Sequence, residues 1–225
     1  MNADVVRKLL MRTVSDPYGR RLGRIVGFTV DPKKEVTALG IELTNGGLLC
    51  CPCTQISLEN DTVIVDYPWR VEASQLGEEF TLICRKNSAL DKLHNSGEVA
   101  QEVYDEMQKQ NEVTIREITK RCQNLSDDLK DRIEDLNTQA KELRTFLANV
   151  KIEHMVGNID EEAYKVSSEI LQTMLNQSLL EKRDVELAFN NLSKNSMISQ
   201  TTSPEHSRIT SQPQPIVLRI KEAGS

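Results

Sequence analysis

The sequence predicts a multi-part α+β protein: a small all-β barrel, a long antiparallel α-helical coiled-coil hairpin, and a disordered tail bearing one strand-like peptide. Three observations carry this. Apolar types segregate along the chain, with Val, Ile and Cys concentrated before residue 86 and Leu, Glu, Lys and Gln dominant after it. The apolar period changes from two to three-and-a-half near residue 88. At 38% hydrophobic, 4% aromatic and 28% charged, the 225 residues suit a small domain with extensions better than one large core. The expected divisions are a barrel over 1–70, a connector over 71–87, a helical hairpin over 88–194 with its turn near 157–160, a linker over 195–214 and a peptide over 215–222.

The barrel reads as short strands separated by turns. Asp16-Pro17-Tyr18-Gly19 is a turn, with Pro fixing φ and Gly accepting conformations other residues avoid. Leu22, Val26, Phe28 and Val30 alternate along the next strand, so one face is expected to carry all four. Asp31-Pro32-Lys33-Lys34 reverses the chain into Val36–Leu43, and Asn45-Gly46-Gly47 is a strong hairpin signal ahead of Leu48–Cys51. Thr62–Tyr67 completes the set.

These residues resemble the PRC-barrel family. The likeness rests on Gly19 through Asp31 (GRRLGRIVGFTVD), then Leu39-Gly40-Ile41-Glu42 and Gln55-Ile56, and covers about 60 residues. The family pattern is a Gly, a short spacer, Ile/Leu-Gly-Lys/Arg-Val and a strand ending in Val-Asp. PRC-barrels are mostly adaptors without a shared catalytic centre, so the resemblance implies a module and no reaction.

The five cysteines are Cys50, Cys51, Cys53, Cys84 and Cys122. An odd count with no signal-peptide pattern argues against a disulfide framework and makes a reducing cytoplasm the expected home. Cys50-Cys51-Pro52-Cys53 is the one cluster that could hold metal. A structural zinc site wants four ligands, commonly in two knuckles, and the three histidines (His94, His154, His206) lie far along the chain. Small buried hydrophobes are the preferred reading, with no metal or cofactor expected. No run approaches the roughly 18 apolar residues of a membrane span.

In the rod, Ile115, Ile118, Cys122, Leu125 and Leu129 are spaced 3, 4, 3, 4, and after a further four to Ile133 the seam resumes at Leu136, Ala140, Leu143, Leu147 and Val150. The two consecutive fours are a stutter that locally unwinds the supercoil. Gly157 or Asn158 ends the helix, Asp160 caps the next, and Tyr164, Leu171, Met174, Leu175, Val185, Phe189 and Leu192 form a second stripe expected to fold back antiparallel. The second helix reaches back only to about residue 122. The seam near Ile115, Ile118, Cys122, Leu125 and Leu129 is therefore expected to lack a full partner in its own chain and to pair with a second copy, in a homodimer or filament.

Residues 195–214 are rich in Ser, Thr, Gln and Pro and cannot bury a core. In Pro215-Ile216-Val217-Leu218-Arg219-Ile220-Lys221-Glu222, Ile216, Leu218 and Ile220 alternate with Val217, Arg219 and Lys221. A lone strand must add to another sheet, either a partner's or the chain's own barrel.

Barrel, hairpin and terminal peptide, in this order, resemble the CdvA family of archaeal cell-division proteins. In that family the tail docks on the winged-helix part of CdvB, an ESCRT-III-like protein that contacts membrane. The resemblance implies that Pro215 to Glu222 is the docking strand, with Ile216, Leu218 and Ile220 filling pockets and Arg219 and Lys221 setting register or charge. It also implies polymerisation at the division site, membrane contact only through the partner, and an association with DNA.

Charge bears on the competing functions. The net charge is −6, and residues 87–195 hold 14 basic against 21 acidic residues, so the rod repels phosphate. Nucleic acid would have to meet the basic N-terminal stretch, where Arg12, Arg20, Arg21 and Arg24 are the candidate contacts. Such a face would suit an RNA, ribosome-assembly or DNA-associated adaptor, but leaves the rod unexplained. An enzyme is the weakest reading: no Ser/His/Asp set, phosphate-binding glycine loop or paired metal carboxylates is evident. The glycines of 19–27 lack the strand–loop–helix context of a nucleotide fingerprint. The expected protein is a non-catalytic division scaffold that assembles with itself and recruits an ESCRT-III-like partner.

Overall fold

The computed structural model describes residues 8–59 and 62–201, without the side chains of 195–201. Six strands come first: β1 (Thr13–Ser15), β2 (Arg21–Val30), β3 (Val36–Leu43), β4 (Leu48–Pro52), β5 (Ile56–Glu59) and β6 (Thr62–Val65). Three helices follow: α1 (Pro68–Asn95), α2 (Gln101–Met155) and α3 (Glu161–Thr201).

The strands form one curled sheet in the order β4-β3-β2-β1-β6-β5, with β1 and β6 parallel and the other pairs antiparallel. The expected barrel is thus a half-barrel whose edges are β4 and β5, joined by a single 3-10 turn at Cys53–Gln55. Its core is Val14, Ile25, Leu39, Ile41, Cys51, Val63 and Val65, plugged by Leu9. Gly23 has a steric reason: a Cβ there would lie 1.9 Å from the Glu42 carbonyl oxygen across β3.

The expected single apolar face of β2 is corrected. The register shifts between Ile25 and Gly27, which moves the strand one residue out of phase. Ile25 is fully buried as a result, while Val26 and Val30 are exposed. The turns behave as read. Asp16 Oδ1 accepts the Tyr18 and Arg20 amides, and Gly19 takes a φ of 81°. At Asn45-Gly46-Gly47 the Leu43 amide donates to the Gly47 carbonyl and Gly46 has a φ of 84°.

The largest departure is α1. Residues 71–87, expected as a connector, lie inside a 28-residue helix opened by Pro68 in its first turn. The helical part is also not continuous from 88, because the chain reverses between Asn95 and Gln101. Leu76, Phe80, Ile83 and Leu90 are buried on α1, and the first three pack into one cluster with Ile118, Cys122, Leu125 and Leu129 of α2. Asn111 Nδ2 donates to Asn87 Oδ1 at 2.6 Å, a polar pair within the α1–α2 seam that suits a register mark.

The two helix reversals are built alike. His94 and His154 each stand three residues before a left-handed glycine, Gly97 (φ 75°) or Gly157 (φ 79°), and ten before a tyrosine. The glycine amide donates to the histidine carbonyl, and the next amide donates to the carbonyl preceding that histidine, at Leu93 or Glu153. Each histidine ring stacks on its tyrosine, with centroids 4.3 Å apart for His94–Tyr104 and 4.4 Å for His154–Tyr164. At the second reversal Asp160 Oδ1 accepts the Ala163 amide as the expected cap.

Candidate functional site

The seam residues assigned to self-association are satisfied within the chain. Ile118, Cys122, Leu125 and Leu129 are buried and Ile115 half-buried, against α1 on one side and Val185 and Leu192 of α3 on the other. The premise that they lack a partner in their own chain is corrected, because the helix that covers them lies partly in the stretch read as a connector. Exposed apolar side chains occur along all three helices, Leu82, Val113, Leu180 and Leu187 among them, and also in the far half of the hairpin. Phe146 (56% exposed), Ile152, Met155 and Ile170 stand there, where α2 and α3 have no third helix over them.

Two of the four candidate arginines of the basic stretch are held in ion pairs. Arg20 turns inward to Asp16 and Glu181, Arg24 pairs with Glu42 across β2–β3, and Arg21 is exposed. Arg12 contributes its backbone, accepting the Ile25 amide and donating to the Leu9 carbonyl. Pro215 to Glu222 lie outside the described residues.

Arg20 belongs to the chief polar cluster, where the half-barrel meets the hairpin. Glu181 of α3 is wholly buried and accepts from Arg20 on one oxygen and from Arg132 of α2 on the other, the latter at 2.7 Å from Nε. Asp16, 1% exposed, accepts from Tyr67 Oη at 2.9 Å. Tyr18 Oη donates to Asp184, and Tyr18 and Tyr67 stack. Burial, then the Asp16 hydrogen bond, pushes the Tyr67 phenol up from 10.0 to about 12, and burial with Asp184 raises Tyr18 as well. Burial pulls the Arg20 guanidinium down, but Glu181 outweighs it and leaves it raised. Each buried carboxylate is committed to a cation or a phenol, so the cluster orients the half-barrel and offers no free base.

Sequence reasoning missed this cluster. A signal existed: Glu181 lies three residues after Ser178 and four before Val185, both buried, so a charge was due at a covered position. Arg132 adjoins the stutter at Ile133 and reaches Glu181 from α2.

At Cys50–Cys53 the thiols divide as alternation requires: Cys51 is buried and Cys50 exposed. Burial raises Cys51 to about 11, so it remains a protonated thiol in the core. Among the described residues no group of three or more His, Cys, Asp or Glu is placed to hold a metal ion. None of the described helices is long and apolar enough to cross a membrane.

A cleft of about 650 Å³ opens between α1 and α3, with Trp69, Gly77 and Leu187 among its walls.

Residues 68–215, about two thirds of the chain, match the family model of the CdvA-like coiled-coil domain. The chain belongs to the CdvA family. The match begins at Pro68, the first residue of α1, so the CdvA coiled-coil unit takes in all three helices. The chain is also similar to a protein of Sulfolobus acidocaldarius named Cell division protein A, with 26% identity over 190 residues that span 84% of this chain and 79% of that protein. Membership in CdvA, a family of cell-division proteins, makes this a cell-division protein built as a half-barrel on a coiled coil.

Proposed function

We propose that this chain is a non-catalytic scaffold of cell division that assembles with further copies of itself and recruits an ESCRT-III-like protein of the CdvB type. Recruitment uses Pro215 to Glu222, with Ile216, Leu218 and Ile220 entering pockets of the partner and its sheet extended by one strand. The observation that carries this is the match to the CdvA family over residues 68–215, which takes in the three helices and the linker and ends at Pro215, where the alternating peptide begins. A polar linker of about 20 residues gives the peptide reach without a fixed orientation. Membrane is reached through the partner, at the division site on its cytoplasmic side.

Self-association in this reading uses the far half of the hairpin, since the near seam is covered in cis. Phe146 and Ile170, each more than half exposed, are the apolar contacts offered to a second hairpin. Deleting residues 213–225 tests recruitment: binding to a CdvB-type protein is expected to vanish by calorimetry. Binding that survives the deletion refutes the assignment.

A further inference from the structure

The cleft between α1 and α3 is walled by apolar and small residues and edged by charge. Ala73, Gly77 and Thr81 recur at every fourth residue on its α1 wall, facing Leu187, Ala188 and Leu192 of α3. Glycine is unfavourable inside a helix, and a Cβ on Gly77 would meet nothing within 4 Å, so the space it leaves is unfilled. At the barrel end, Trp69 Nε1 is buried and has no acceptor among the described residues. Charges line the rim in a fixed order: Arg85 at the far end, Glu78 midway, Arg70 and Asp184 at the barrel end.

We propose that this cleft is the docking site of the chain's own residues 215–222 in extended form, covering the peptide until a partner displaces it. Length agrees. Trp69 to Arg85 spans about 24 Å of helix, and eight extended residues span about 26 Å. Reach agrees too: α3 continues to Thr201, about 14 Å past Leu192. The 13 residues from 202 to 214 extend to about 45 Å, enough to turn back into the far end.

Charge selects the direction. With Pro215 entering beside Arg85, Arg219 comes level with Glu78, Lys221 with Asp184, and Glu222 with Arg70. Alternation turns Ile216, Leu218 and Ile220 toward the apolar walls. Glu222, on the same side, brings an acceptor to Trp69 Nε1. The regulatory sense of this docking rests on the recruitment reading; the docking itself does not.

Trp69 is the chain's single tryptophan, so its emission reports on the cleft. The receptor is the full chain carrying Ile216→Ser, Leu218→Ser and Ile220→Ser, into which a synthetic peptide of residues 213–225 is titrated. A saturable shift of Trp69 emission is expected, weakened at least about tenfold by Gly77→Leu, which fills the cleft. Glu78→Arg weakens it as well, and a peptide with Arg219→Glu restores binding to that variant. Hydrogen exchange over 71–85 and 184–192 is expected to be slower in the natural chain than in the triple-serine chain, independent of protein concentration. No saturable shift, equal exchange rates, or protection that grows with concentration, as for the tail of a second copy, overturns the proposal. The isolated peptide's binding to a CdvB-type protein is measured separately, and its failure removes the recruitment reading alone. If both hold, Gly77→Leu in the full chain tightens partner binding by about tenfold, as expected when nine-tenths of tails are docked.

Discussion

The near and far halves of the hairpin share one heptad seam but not one environment. In the near half, Ile118, Cys122, Leu125 and Leu129 are enclosed by α1 and α3 together. In the far half, Ala140, Leu143 and Leu175 form a thin two-helix core, flanked by Leu147 and Leu171, with Phe146 and Ile170 more than half exposed beside it. The same spacing is thus enclosed by three helices in one half and by two in the other. What separates them is the third helix, and the length of an apolar seam says nothing about how many helices cover it.

The largest effect expected from this contrast is on stability. Phe80→Ala opens a cavity in the three-helix half and costs about 4 kcal/mol, whereas Phe146→Ala stays within about 0.5 kcal/mol. Urea unfolding followed by helical circular dichroism separates the two. Equal costs would mean that α1 does not cover the near seam.

Next in size is the junction that holds the half-barrel beside the near half. Glu181→Gln removes the carboxylate that Arg20 and Arg132 share, leaving Arg132 without one and Arg20 with Asp16 alone, and costs about 3 kcal/mol. Replacing Glu181 and Arg132 by Leu and Met, with Arg20 kept beside Asp16, restores part of that loss, because the pair is then replaced by apolar contact while Asp16 keeps its cation. The same denaturation series checks both variants.

The pH dependence is smaller. Tyr67 holds its proton more tightly folded than unfolded, since burial and Asp16 lift its pKa from 10.0 to about 12. A raised folded pKa stabilises fully below the unfolded value, so this contribution is intact below about pH 10 and fades as the pH rises towards about 12. Tyr67→Phe is expected to flatten the fall in melting temperature over that window, at a neutral-pH cost of about 1 kcal/mol for the lost hydrogen bond. An alkaline melting curve parallel to that of the natural protein would place the titration elsewhere.

Much of this was legible because local rules agreed with tertiary ones. Turns at Asp16–Gly19 and Asn45–Gly47, the cap at Asp160 and the seam from Leu125 to Leu147 carry signals that need no distant partner. Helix α1 was hidden because Gly77 and Asn87 interrupt its stripe, one facing the open cleft and the other paired with Asn111. The face of β2 was misread because a register shift is invisible to alternation. The pairing of Glu181 with Arg20 joins residues 161 positions apart, and that proximity exists only once the hairpin has folded against the barrel.

The proposal that the far half of the hairpin associates while the near half is closed is tested most directly by mass from light scattering across a concentration series. The natural chain is expected to rise above the monomer mass of 25.5 kDa as concentration increases. The Phe146→Ser, Ile170→Ser double variant is expected to remain at that mass with its helical signal unchanged. A natural chain that stays monomeric at every concentration, or a double variant that still associates, would contradict the account.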